Sequence, residues 1–253
     1  LHLAILIESL RREGYEFEVS KPEAVTKIVD NVLTEPVEHL LIDTRETYIG
    51  VLTEILSKRQ AELLNMRSDS EGNVRLEFRI PTKGLIGFRG AFLTATRGEG
   101  VMNTVSLGFE PWRKQLLPSR SGVLVASDSG VAVAYGLENA QERGALFIEP
   151  GTAVYEGMIV GTNPRMQDIP VNVCKEKKRT NMRSSTADIA VRLQPPTRLS
   201  LEQAIDFIAA DELLEVTPDS IRLRKKILNH TQRLRAQASS RKSAEAKTAR
   251  THA

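Results

Sequence analysis

The sequence predicts an α+β protein. A ferredoxin-like βαββαβ domain is followed by a β-rich, barrel-like C-terminal domain, with a partial α/β piece at the N-terminus. Residues 36–110 alternate strand-like and helix-like periodicities in the order β-α-β-β-α-β. After Pro111, short apolar runs are divided by glycine turns, the texture of a β-rich domain. The chain begins without Met, in the middle of a helical pattern, as a fragment would.

Taken in order, residues 2–13 place Leu3, Ile5 or Leu6, Ile7 and Leu10 on one helical face, and Gly14 suits the C-terminal cap. Tyr15 to Val19 alternates as a strand does and stops at Lys21-Pro22. In the next unit, Val37, Leu40 and Ile42 mark a strand, and Ile49, Leu52, Ile55 and Leu56 fall at helical spacing between Tyr48 and Lys58. Leu63 to Arg67 is a second strand, and the polar stretch 68–73 is a turn. Val74, Leu76, Phe78 and Ile80 alternate with mostly charged residues until Pro81. A helix entered from Gly84 covers Leu85 to Ala95, and Val101 to Phe109 is the fourth strand. Further strands are expected at Gly122–Ala126, Val131–Leu137, Ala145–Ile148, Ala153–Tyr155, Met158–Thr162, Val171–Cys174 and Ile189–Leu193. Ser200 is the N-cap of a helix over Leu201–Ala209, with Gln203 completing a capping box. Ile221 and Leu223 belong to a last strand. Beyond His230 the chain has almost no apolar anchor, and a disordered basic tail is expected.

These elements divide the 253 residues into 1–34, 35–110, 111–230 and the tail 231–253. One core rarely grows past about 250–300 residues, so more than one domain fits this length. The net charge of +3 is unevenly spread: from Val173 onward there are 17 Lys/Arg against 9 Asp/Glu, leaving 18 against 23 before it. Such asymmetry points to a polyanionic partner for the C-terminal part. A lone cysteine, Cys174, excludes an internal disulfide and fits a reducing, cytoplasmic setting. No apolar run approaches 18 residues, so no membrane partner is expected.

Catalytic patterns are missing. There is no G-x-x-x-x-G-K-[ST] phosphate loop, no G-x-S-x-G elbow, and the four histidines stand apart from any ligand spacing, so neither catalytic residues nor a metal or cofactor is expected within these residues. Gly84, Gly87 and Gly90 lack the close G-x-G pair of a dinucleotide site and suit a tightly packed helix entry.

The clearest functional signal is the run from Lys175 to Ser185. Lys175, Lys177, Lys178, Arg179 and Arg183 put five cations within nine positions between two strand-like stretches. Phosphates would neutralise them, with a steep dependence on salt. Asn181, with Thr180, Ser184 and Ser185, adds short side chains suited to phosphate or 2′-hydroxyl contacts. The alternative is a solvated charged hairpin. A second basic group, Arg222, Arg224 and Lys225 with Lys226, either extends a basic stripe or protects an edge strand from aggregation.

Several longer stretches carry a resemblance. Lys83 to Arg89 resembles the RGLIGFR stretch of the BipA/TypA translational GTPases. Val154 to Gly161 resembles their VYEGQIIG, and Lys178 to Ser185 their KKLTNMRAS loop. Asp211 to Pro218 resembles DDELVEVTP, and Ile221 to Lys225 resembles IRIRKR. The similarity runs in register from the first residue to about residue 235, with Arg179 where Leu is usual and Ser185-Thr186 in place of a Ser-Gly pair. It implies the C-terminal half of such a GTPase. The GTPase domain, with its GTP and Mg, would be absent. Residues 1–34 would end the domain-III equivalent of elongation factor G, and 35–110 would be the domain-V equivalent. The remainder would be the family's own C-terminal domain. It further implies a monomer that binds the ribosome, with large-subunit rRNA and A-site tRNA as partners, in stress adaptation and large-subunit assembly. The RNA-contacting set would be Lys175, Lys177, Lys178, Arg179, Asn181 and Arg183, with Arg222, Arg224 and Lys225 beside it. A protein-interaction module docking ribosomal proteins or assembly factors is the other expectation.

Overall fold

The computed structural model describes residues 2–113, 120–176, 192–236 and 238–239. The chain forms two compact units. One combines Leu1–Lys21 with Arg120–Ala253; the other is Pro22–Ser119. These limits differ from the boundaries expected near residues 34 and 110, because the N-terminal strand pairs far along the chain, with residues 213–216.

The first elements are α1 (His2–Arg12) and β1 (Phe17–Ser20). Next, β2 (Lys27–Val29) and β3 (Val32–Arg45) form a hairpin. Its turn residues Asp30 and Asn31 both lie in the left-handed region, at φ 50° and 63°. Asp and Asn tolerate that region best after glycine, which suits a tight two-residue hairpin. β2 and the turn lie before the expected start of the domain at residue 35.

α2 (Ile49–Lys58), β4 (Glu62–Ser68), β5 (Asn73–Pro81), α3 (Thr82–Leu85), α4 (Phe88–Ala95) and β6 (Val101–Pro111) complete the unit. β3 pairs with both β5 and β6, and β5 with β4, all antiparallel. The expected βαββαβ unit is therefore present, with strand order β4-β5-β3-β6. One face packs Leu40, Ile42, Leu76 and Phe78 against Leu52 and Leu56 of α2 and Phe88 and Phe92 of α4. The single helix expected from Leu85 to Ala95 is broken at Gly87, whose φ of 69° no helix accepts. The Arg59 guanidinium holds that break by donating to the carbonyls of Gly84 at 2.8 Å and Ile86 at 2.9 Å.

The other unit continues with β7 (Val123–Ala126), β8 (Gly130–Val131), α5 (Ala134–Gln141), β9 (Ala153–Val154), β10 (Met158–Thr162) and β11 (Ile169–Val171). It ends with α6 (Leu201–Phe207), β12 (Glu212–Val216) and β13 (Ile221–Lys225). Six strands form one sheet in the order β1-β12-β13-β10-β7-β11. The sheet is open, with no closed barrel among the described residues.

The physical reason lies in its two covered faces. Val123, Val125, Ile159 and Leu214 pack with Ile7 of α1 and Ala204 and Ile205 of α6. Leu124, Ala126, Val160 and Val171 pack with Leu137 and Ala140 of α5. All four residues of β7 are buried, as a run of apolar residues covered on both faces should be. Helices on both faces leave nothing for the sheet to gain by curling into a barrel.

Of the expected strand Val131–Leu137, Val131 ends the short β8 and residues 134–137 begin α5, because Leu137 and Ala140 share a helical face towards the core. Ala145–Ile148 contributes only an isolated bridge from Leu146 to Gly161. Of the strand expected at Ile189–Leu193, only Arg192 and Leu193 lie among the described residues, and neither is extended in a ladder. The capping box at Ser200 and Gln203 forms, and the helix stops at Phe207. β12 was not expected. Residues 231–236, assigned to a disordered tail, are helical. Arg233 anchors them, because its guanidinium donates to the carbonyls of Ile227 (2.9 Å) and Leu228.

Candidate nucleic-acid interface

The two basic clusters singled out in the sequence fare differently. β12 and β13 form a hairpin in which Glu212 lies opposite Lys225 and Glu215 opposite Arg222. Opposite charges facing across a ladder stabilise it. Lys225 is only 2% exposed. Its Nζ lies 2.6 Å from Asp168, 2.8 Å from Asp211 and 2.8 Å from Glu212. Burial by itself would lower the Lys225 pKa, but Glu212, Asp168 and Asp211 outweigh it and hold it above the ordinary lysine value. Glu212, fully buried, also accepts from the Ala209 amide at 2.8 Å and pairs with Arg120.

Arg224 is neutralised in the same way. It pairs with Glu18 and, at 2.8 Å, with Glu215. Glu215 also accepts a 2.7 Å bond from the Tyr155 hydroxyl, and burial followed by that carboxylate pushes the tyrosine pKa up. Lys225 and Arg224 therefore leave the expected RNA-contacting set: their charges are spent on internal carboxylates, and Lys225 is out of reach of any solvent-borne phosphate. Arg222 is half-buried opposite Glu215.

The other cluster begins at the edge of the α5 face. Lys175 is exposed and is in no ion pair among the described residues. Lys177, Lys178, Arg179, Asn181 and Arg183 lie outside the described residues. The described residues on either side of that stretch contact α5 or its N-cap. At the outgoing end the Val133 amide bonds the Val173 carbonyl at 3.0 Å, and Gly136 lies flush on Val173, where a Cβ would collide with that carbonyl. At the return, the Gln141 Oε1 accepts from the Gln194 amide at 2.7 Å, and its Nε2 points to the Arg192 carbonyl at 3.5 Å.

Cys174 follows Val173, and burial and then Asp128 push its thiol pKa up, which disfavours the thiolate. Among the described residues no group of histidine, cysteine or carboxylate side chains is arranged to hold a metal ion. No described helix is long and apolar enough to cross a membrane.

Comparison with known families fits this geometry. The family model for the TypA/BipA C-terminal domain matches residues 121–230, and that for the elongation factor G C-terminus matches residues 32–120. A large ribosomal subunit assembly factor BipA from Synechocystis sp. is 49% identical over 225 residues, which is 89% of this chain and 38% of that protein. The chain belongs to the TypA/BipA family. The protein of the same name from Bacillus subtilis is 46% identical over 93% of this chain and 39% of its own length, and that from Escherichia coli K12 is 45% identical with the same coverage. The chain thus spans less than two fifths of the length of these relatives. What it matches are the C-terminal domains of a translational GTPase family resembling elongation factor G.

Sequence reasoning missed Gly136 and Gln141. They are separated by 37 and 53 positions from the residues they hold, Val173 and Gln194, and neither has a local pattern to mark it. The internal role of Lys225, in contrast, was available. Glu212 and Glu215 stand on one side of the turn 217–220 and Arg222 and Lys225 on the other, at hairpin spacing.

Proposed function

We propose that this chain is a ribosome-binding, RNA-contacting part of a GTP-dependent factor that acts in large-subunit assembly and stress adaptation. Lys175, Lys177, Lys178, Arg179 and Arg183 would contact phosphates of large-subunit rRNA and the A-site tRNA, with Asn181 adding a hydrogen bond to phosphate or 2′-hydroxyl. The single observation that supports it best is the contrast in counter-charge. Arg224 and Lys225 of β13 are matched by Glu18, Glu212, Glu215, Asp168 and Asp211, whereas residues 175–183 contain one carboxylate, Glu176, against five cations. The names of the relatives, large ribosomal subunit assembly factors, support the ribosome as the partner.

GTP hydrolysis would belong to other parts of the full-length protein, and this chain would act as a monomeric, cytoplasmic binding module without a cofactor of its own. Co-sedimentation with purified large subunits across a salt series tests the proposal. Binding that falls steeply with salt, by a slope of roughly 0.7–0.9 per phosphate contacted, supports phosphate recognition. Binding insensitive to salt would transfer the function to a protein-docking surface.

A further inference from the structure

We propose that Arg165 and Met166, at the tip of the loop 163–168, form a second RNA-contacting site: Arg165 takes one backbone phosphate, and Met166 lies against a base beside it. This rests on the RNA-contacting role proposed above. The loop joins β10 to β11, and in the sheet these two strands flank β7. Residues 163–168 therefore cross the entry to β7, and they are bolted down as they do so. The Gly122 amide donates to the Arg165 carbonyl at 2.7 Å, and the Asn163 amide to the Gly122 carbonyl at 2.9 Å. A Cβ on Gly122 would collide with the Gln167 and Arg165 carbonyls, so only glycine lets the loop lie this close. Asn163 is 2% exposed and spends both ends of its side chain inside the loop. Its Oδ1 accepts from the Arg165 amide at 3.1 Å, and its Nδ2 donates to the Gln167 carbonyl at 2.6 Å. At the far end Asp168 accepts from the Val123 amide at 3.0 Å.

The backbone of the loop is fixed, yet its tip is bare. Met166 is 76% exposed, more than any other large apolar side chain among the described residues. Arg165 is exposed and is in no ion pair among the described residues. The loop's one carboxylate, Asp168, is taken by the Val123 amide and by Lys225. A cation without a counter-charge beside an unbranched apolar chain matches the two surfaces of an RNA strand. A phosphate supplies the missing charge. The methionine, flexible and polarisable, fits the face of an unstacked base. Because the backbone is set before binding, little ordering entropy is lost when the contact forms. The unmatched charge is what favours RNA over a protein partner, whose contact would rest on Met166 alone.

The test is co-sedimentation of the whole chain with purified large ribosomal subunits across a salt series. Arg165→Gln should weaken binding about tenfold and lower the salt slope by roughly 0.7–0.9, the share of one phosphate. Met166→Ser should weaken binding about two- to tenfold with the slope unchanged, since no phosphate is lost. Both variants should melt as the unaltered chain does, because both side chains are exposed. The control is Arg67→Gln, at an exposed arginine of β4 in no ion pair among the described residues, which should keep the full slope. Arg165→Gln keeping the full slope overturns the site; if Met166→Ser weakens binding all the same, the loop docks a protein instead. An equal loss of slope in Arg67→Gln also overturns it, because the contribution would then be diffuse charge. Met166→Ser binding as before removes Met166 from the contact. Absence of any subunit binding by the unaltered chain would instead overturn the RNA-contacting role and this site with it.

Discussion

The C-terminal unit carries two basic clusters of similar composition and opposite fate. In β13, Arg222, Arg224 and Lys225 lie on a strand whose partner supplies Glu212 and Glu215, and Lys225 ends in a cage of three carboxylates. Between Lys175 and Arg183 the five cations have one carboxylate, Glu176, among them in the sequence. The difference teaches that a cation count identifies a polyanion site only after the acids opposite it have been located. In a hairpin those acids stand across the turn, at positions the register fixes.

The most damaging break of this contrast is Lys225→Met. It leaves Glu212, fully buried, with Arg120 and one backbone amide, and it leaves Asp168 and Asp211 to repel it. Removing one partner of a buried ion pair costs about 3–5 kcal/mol. Chemical denaturation should show a loss of that size, while subunit affinity of the folded fraction stays the same. A loss under 1 kcal/mol would mean the cage is well hydrated.

Next in size, Gly144→Ala should cost about 1–3 kcal/mol, because a Cβ there runs into the Thr162 carbonyl and the backbone must shift. It would loosen the turn after α5, and a melting curve measures it. Ser200→Ala removes the acceptor of the Gln203 amide and half of the capping box, worth about 1 kcal/mol.

The pH dependence sharpens the same comparison. The folded pKa of Lys225 is raised above its ordinary value of 10.5, so the folded state holds that proton more tightly than the unfolded chain. Its stabilisation is complete below the unfolded pKa and is lost as pH rises through the folded one. Tyr155, also raised, contributes a loss of the same sign. Stability should therefore decline in alkali above about pH 10, and Lys225→Met should flatten part of that decline. The smallest effect is expected at Arg198, whose pair with Glu149 is exposed: Arg198→Ala should leave the melting temperature unchanged within error.

Much of the fold was legible in the sequence. Strict alternation in β5 and helical spacing in α2 reported one-sided burial directly. What misled was β7 to β10, where both sheet faces are covered. An apolar run without polar punctuation carries no period, so α5 read as a strand and the open sheet as a barrel. β1 was legible as a strand, but its partner, 193 or more residues away in β12, was not. Of the candidate interface, the cations of the basic segment were visible locally. The acids that retire Arg224 and Lys225 come from four separate stretches, Glu18, Asp168, Asp211–Glu212 and Glu215, and only the last two lie within hairpin distance.

The contrast between the clusters is tested most directly by two charge reversals, measured by co-sedimentation with large ribosomal subunits across a salt series. One variant carries Lys177, Lys178, Arg179 and Arg183 all changed to Glu; the other carries Arg222→Glu alone, the β13 cation whose removal spares the buried cage. The account predicts that the first loses binding and its steep salt dependence while melting normally, and that the second binds subunits nearly as the unaltered chain does. Full binding by the first variant, or loss of binding confined to the second, would contradict it.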